Sequence, residues 1–262
     1  MTSLNSHGLR FAFGTLTALP VRVSRWDRRT ARAGMLCAPL AGLAVGLLAA
    51  APGVLFLLGG SGPLTAAVAS AALPAALTRG LHLDGLADTA DGLGSAKPAG
   101  DALRIMKQSD IGPFGVITLL FVLLAQVSAL FALYGRGWAE GALGTVVAAV
   151  TARLALTLAS RRNVPPARPE GLGAAVAGTV PPRGAAAVAC AVVACCATAG
   201  VLLGGYGAGL HQALAVVAGL VAAQLMLRHC VRRFGGVTGD VFGALEETAG
   251  TAALLTLSLS LG

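Results

Sequence analysis

A chain of 262 residues that is 56% hydrophobic and only 11% charged is excluded from the soluble globular class, in which about a quarter of residues carry charge. Its formal net charge of +8 is therefore weighed by where the cations stand along the chain, and no nucleic-acid partner is expected. Ala and Gly are abundant and aromatic residues few, the composition that lets membrane helices approach closely.

The chain reads as an all-α, polytopic integral membrane protein, with residues 1–262 forming a single domain. No cleavable signal is evident at the start, where a short apolar run lacks a small-residue cleavage site. The stretch Leu9 to Val23 is too short for an ordinary span and suits a helix lying at the interface. A basic run, Arg22, Arg25, Arg28, Arg29 and Arg32, follows it. Spans are predicted over Met35 to Leu58, Pro63 to Leu77, Phe114 to Tyr134, Trp138 to Ala159, Ala185 to Leu203 and His211 to Leu227. That makes six, plus short interfacial or partial helices. Polar excursions interrupt them at 79–112 and after Leu227. The apolar tail, Thr251 to Leu261, is short for a span of ~20 residues and reads as a partly inserted helix.

Alternating the loops across a bilayer puts all but two of the 19 Lys and Arg residues on one side, the exceptions being Arg136 and, inside a span, Arg153. Of the eleven acidic residues only Glu140 falls on the other side. The positive-inside rule makes the charged side cytoplasmic and the N-terminus cytoplasmic, in the inner membrane of a bacterium. A transporter would need polar groups near the bilayer midplane with access from both faces, which this distribution disfavours. Cys37, Cys190, Cys195, Cys196 and Cys230 show no metal-ligand spacing, and His229-Cys230 has no second pair to accompany it.

Chemistry concentrates in Arg79 to Ser95, RGLHLDGLADTADGLGS. Asp84, Asp88 and Asp91 stand at offsets 0, 4 and 7, which on a helix places their carboxylates within an arc of about 60°. Unpaired carboxylates on one face repel, and a hard cation among them removes the conflict. Mg²⁺ suits such oxygen ligands, usually keeping waters and taking one or two carboxylates plus substrate phosphates. A second acidic set opens with Gly235-Gly236-Val237-Thr238-Gly239-Asp240 and continues to Glu246 and Glu247. Asp240 and Glu247 share a helix face, whereas Glu246 is expected to point elsewhere. Thr238 can cap the following helix, and glycines such as Gly239 let backbone amides approach an anion. Arg104 and Lys107, three residues apart, can meet phosphate oxygens or simply snorkel at the interface. Together these residues describe a membrane-embedded, Mg²⁺-dependent transferase acting on a phosphorylated substrate, its carboxylates Asp84, Asp88, Asp91, Asp240 and Glu247 facing one cytoplasmic cavity with Lys107 on the wall.

HLDGLADTADGL, IMKQSDIGPFGV and GGVTGDVFGALEE resemble the cobalamin synthase family, the adenosylcobinamide-GDP ribazoletransferases. FGTLTALPVR and the central PPARPEGLG, which brings Arg168, are similar to further segments of that family, so the resemblance covers nearly the whole chain in order. Gln108, Arg104 and Ala18 depart from its pattern. The resemblance implies transfer of the adenosylcobinamide-phosphate moiety to α-ribazole or α-ribazole 5′-phosphate, giving adenosylcobalamin or its 5′-phosphate and GMP, at the end of cobalamin biosynthesis. It implies Mg²⁺ on Asp84, Asp88 and Asp91, with Asp240 and Glu247 completing the site. His82 is either a general base or a satisfied interfacial histidine. Lys107, Arg104, Thr238, Gly239 and Arg168 form the candidate substrate-binding set. Asp84-x-x-x-Asp88 also resembles intramembrane prenyltransferases, and Asp84-Gly85 the CDP-alcohol phosphotransferases, without the full signature of either. A cation transporter with an acidic site is the reading from another class. A homo-oligomer in the lipid bilayer is left open.

Overall fold

The computed structural model describes residues 2–259 and is all-α: ten helices, joined by loops that carry two isolated bridges, Arg161 with Val180 and Pro166 with Val237. Helix α1 (Thr2–Leu16) lies against the start of α2 (Arg28–Leu58). Its Phe11 is fully buried against Gly34, where a side chain would collide with the ring. Asp27 caps α2 by accepting from the Thr30 amide at 2.8 Å, and that bond holds its carboxyl below the ordinary range. Capping explains why α2 begins seven residues before the apolar span proper: the basic run Arg28, Arg29 and Arg32 is helical.

Helix α3 (Pro63–Thr78) ends at Arg79 and Gly80, both left-handed, and the chain turns by 88° into α4 (Leu81–Gly94). The first polar excursion is therefore mostly helix: α4, then the short α5 (Ala99–Ile105), before α6 (Pro113–Arg136) and α7 (Trp138–Ala159). Helix α7 is the centre of the bundle. It meets α2 through Gly42 and Gly46, at which an added methyl would come within 2.6 Å of the Ala149 carbonyl and 2.9 Å of the Val146 Cα. Approach this close is how membrane helices gain packing energy where lipid removes the hydrophobic incentive to associate.

After the turn-length α8 (Gly171–Val176) comes α9 (Pro182–Phe234), a 53-residue run broken by non-helical Gly204 and Gly205. A side chain on Gly200 would meet the Ala208 carbonyl at 2.7 Å and the Gly209 Cα at 2.9 Å. Residues nine apart in a straight helix are ~13 Å apart, so α9 is a hairpin of two antiparallel arms. Four described helices, α2, α6, α7 and α9, are long and apolar enough to cross a membrane, and the bent pair α3–α4 supplies a fifth candidate. Counting the arms of α9 separately gives six candidate crossings. Exposed Leu47, Leu55, Phe121, Leu124, Leu202 and Leu225 make the lipid-facing surface. Arg136, Glu140, Gly204, His211 and Leu257 gather round one cavity at the end of the bundle remote from the aspartates.

The C-terminal region differs from expectation. Residues after Thr238 are not a polar excursion followed by a tail: α10 (Gly239–Ser258) is one continuous helix, packed among α4, α6, α7 and the second arm of α9. Thr238 caps it, accepting from the Val241 amide at 3.2 Å. The carboxylates of Glu246 and Glu247 do not interrupt it, because Arg153 and Gln126 meet them inside the bundle. Residues 260 and 261 of the expected tail lie outside the described residues.

Candidate active site

Helices α4 and α10 cross at their glycines. A methyl on Gly85 would stand 2.7 Å from the Asp240 carbonyl oxygen and 2.9 Å from its Cα, and one on Gly243 would stand 2.8 Å from the His82 carbonyl oxygen. This contact brings the two acidic motifs, ~150 residues apart in sequence, to one place. Asp88 lies within electrostatic reach of Asp84, Asp240 and Asp91, with Arg168 the cation acting on it. The carboxylates of Asp84 and Asp88 make no hydrogen bond or ion pair with the described residues. Both line a cavity of about 790 Å³ that also takes in Thr15, Thr17, Arg79, Gln108, Ser109 and Asp110. Asp84 reaches a second, smaller cavity of about 110 Å³, which it shares with Asp240, Gly239 and His82. We expect Gly85→Ala to push α4 off α10: the neighbour is backbone, which cannot rotate away, and overpacking of this kind costs about 1–3 kcal/mol. The check is a lowered unfolding midpoint in detergent, with turnover lost below it.

Asp91 has other partners. Its two carboxylate oxygens accept from the Gly112 and Gly115 amides at 2.7 and 2.9 Å. It thus caps α6, the position where an anion meets unpaired amides and the positive end of the helix dipole. Asp240 accepts from the Thr238 hydroxyl at 3.1 Å and pairs with Arg168 at 3.6 Å. Arg168 is itself fixed by donating to the Leu103 carbonyl, so the central loop reaches the site through this one side chain. Lys107 pairs with Glu170 at 3.5 Å and is exposed, and Arg104 pairs with Asp101 in solvent. Neither lines the aspartate cavity; Arg79 and the 108–110 turn stand there instead.

Two expectations on α10 need correction. Glu246 does not point away: it is 4% exposed and pairs with buried Arg153 of α7, with Nδ1 of His82 at 3.8 Å. Glu247 is not brought to the aspartates. It accepts from the Gln126 amide at 2.8 Å and lines a different cavity, with Gln126, Arg153 and Glu246. The expected sharing of a face by Asp240 and Glu247 leaves out depth along α10. Glu247 lies seven residues, ~10 Å, further along the axis. His82 is buried rather than interfacial, and its Nε2 meets no donor or acceptor among the described residues. The signal missed in sequence was Arg153: a cation inside an apolar span requires a partner at the same depth.

Can such residues hold Mg²⁺? Among the described residues no three His, Cys, Asp or Glu side chains converge closely enough to enclose a metal ion. Mg²⁺ does not ask for an all-protein cage; one or two carboxylates with water and substrate oxygens suffice. Asp84 and Asp88, in no ion pair and beside a large open cavity, fit that demand.

A family model described as cobalamin-5-phosphate synthase matches residues 8–258. The chain belongs to the cobalamin-5-phosphate synthase family. Curated relatives agree over nearly the full length. The adenosylcobinamide-GDP ribazoletransferase of Frankia casuarinae is 46% identical, covering 96% of this chain and 94% of its own. Those of a Nocardioides species and of Stutzerimonas stutzeri are 42% and 39% identical, covering 94% and 97% of this chain and 96% and 98% of their own. No solved structure matches. Membership in the cobalamin-5-phosphate synthase family gives the aspartate cavity a phosphate-bearing substrate class to be measured against.

Proposed function

We propose that this chain is an adenosylcobinamide-GDP ribazoletransferase: it transfers the adenosylcobinamide-phosphate moiety to α-ribazole or α-ribazole 5′-phosphate and releases GMP. The observation that carries the reading is the pair Asp84 and Asp88, neither of them in an ion pair, on the wall of a cavity of about 790 Å³. That volume sits within the range of small-molecule sites and is open enough for part of a corrinoid to remain outside. Asp84 and Asp88 would hold Mg²⁺ in this reading, and bound Mg²⁺ supplies the charge that a diphosphate and its departing GMP require. Asp240 shapes the far edge, its carboxylate oriented by Thr238 and Arg168. Arg79 offers a guanidinium to phosphate oxygens from the α3–α4 turn, a role in which bidentate geometry favours Arg over Lys. The test is incubation of purified protein with adenosylcobinamide-GDP, α-ribazole and Mg²⁺. GMP and the cobalamin product are expected in equal amounts; GMP release independent of ribazole would refute transfer.

The same reading places the aspartate face toward the cytoplasm and the protein in the inner membrane, on the charge asymmetry of the loops. In a variant lacking native cysteines, an impermeant reagent outside intact cells is expected to label Gly205→Cys and to spare Ser95→Cys; the reverse pattern inverts the topology. A transporter needs carboxylates at depth, and Glu246 and Glu247 are at depth. Arg153 neutralises the first and Gln126 engages the second, which makes them structural.

A further inference from the structure

A second charged cavity lies away from the aspartates, where α7 ends and the second arm of α9 leaves the apolar region. It has a volume of about 570 Å³, and its polar lining is Arg161, Asn163, Gln224, Arg228 and Arg232, with no carboxylate. Arg161 is built in: its Nε donates to the Leu158 carbonyl at 2.7 Å and its terminal nitrogen donates to the Gln224 amide oxygen. Arg228 acts electrostatically on Arg161, and Arg228 and Arg232 stand four apart on one helix, a like-charge spacing that weakens a helix. None of the three pairs with an acidic side chain among the described residues. Three guanidinium groups held round one cavity without a counter-charge repel, and an anion with several oxygens relieves them all. One and two turns back along the same helix, Val221 and Leu225 are exposed at 52% and 59%, the apolar surface that lipid tails cover. The cavity thus begins where the lipid-facing surface stops, at headgroup depth.

We propose that this arginine cavity binds the phosphate headgroup of an anionic phospholipid, whose acyl chains lie along Val221 and Leu225. Basic pockets between membrane helices at the cytoplasmic surface are suited to such headgroups. The phosphodiester accepts from Arg161 and Arg228, and Arg232 closes the rim. The loop from Arg161 to Arg168 joins this cavity to the Asp240 edge of the active site, so an occupied headgroup site also anchors the segment that carries Arg168.

The test is lipid retention. Protein extracted from vesicles of equal phosphatidylglycerol and phosphatidylcholine is weighed intact by native mass spectrometry. Wild type is expected to keep phosphatidylglycerol preferentially. Arg228→Gln/Arg232→Gln is expected to lose that preference by roughly tenfold or more, since each basic group near a headgroup contributes about fivefold. Both positions are exposed and free of hydrogen bonds that hold the fold, and an unchanged unfolding midpoint in phosphatidylcholine alone certifies the variant; Arg232→Gln alone serves if the double variant fails that control. A third arm adds inorganic phosphate or GMP. Equal retention of both lipids by wild type, an unchanged preference in the variants, or displacement of the lipid by millimolar GMP would each overturn the assignment, the last by showing that the cavity serves a soluble phosphate.

Discussion

Asp84→Asn and Asp88→Asn are each expected to reduce turnover by roughly a thousandfold while leaving the helix bundle folded. Asn preserves volume and one acceptor oxygen, but removes the charge that a hard cation requires. A metal contributes several kcal/mol of charge stabilisation in phosphoryl transfer, and each ~1.4 kcal/mol is a factor of ten in rate. Because the two carboxylates carry no hydrogen bond or ion pair to the described residues, replacing them breaks nothing that holds α4 in place. Removing mutual repulsion among Asp84, Asp88 and Asp240 is expected to raise the unfolding midpoint slightly. A chelator should abolish wild-type turnover and added Mg²⁺ restore it. Asp91→Asn differs in kind: it weakens the cap of α6 as well, so loss of activity there is expected with a lowered midpoint. Near-normal activity in both Asp84→Asn and Asp88→Asn would sink the metal reading.

The apolar runs gave the borders of α6 and α7 almost to the residue, because Pro113 and Gly137 punctuate them. The offsets of Asp84 and Asp88 marked a shared face, and the structure places both on one cavity. Two kinds of information were missing. One was depth: hydropathy treats every charge as a surface signal, yet Arg153, Glu246 and His82 are buried together on three different helices. Only pairing across the fold permits that, and pairing is a long-range fact. The other was competition for a side chain. Asp91 has the right spacing for a metal ligand, but the amides of Gly112 and Gly115, 21 and 24 residues later, engage it first. Likewise Lys107 and Arg104 have acidic neighbours, Glu170 and Asp101, that draw them outward. Gly85 and Gly243, which carried no reading in the sequence, serve the crossing of α4 and α10 itself.

Glu246→Ala is expected to be the most destabilising single change in the bundle. The Glu246 and Arg153 side chains are 5% and 3% exposed, and α7 runs through the middle of the protein. Burial of one charge is tolerable only with its counter-charge in contact, and deleting one partner of a buried pair costs about 3–5 kcal/mol because the other remains uncompensated. Arg153 has a second difficulty: its Nε already meets no acceptor among the described residues, so the guanidinium has little else to turn to once Glu246 is gone. His82, 3.8 Å from the same carboxylate, loses its neighbour as well, and α4 is then less firmly set beside α10. The consequence runs from packing to function, since Asp84 is two residues from His82. The double change Arg153→Met/Glu246→Leu removes both charges and keeps the volume, and such replacements of a buried pair are often neutral or stabilising. It is therefore expected to recover the unfolding midpoint lost in Glu246→Ala. Thermal unfolding in detergent of Arg153→Met, Glu246→Leu and the double variant measures the coupling directly. If Glu246→Ala unfolds at the wild-type temperature, the pair does not hold α4, α7 and α10 together, and the deep carboxylates return to being candidates for a role in transport.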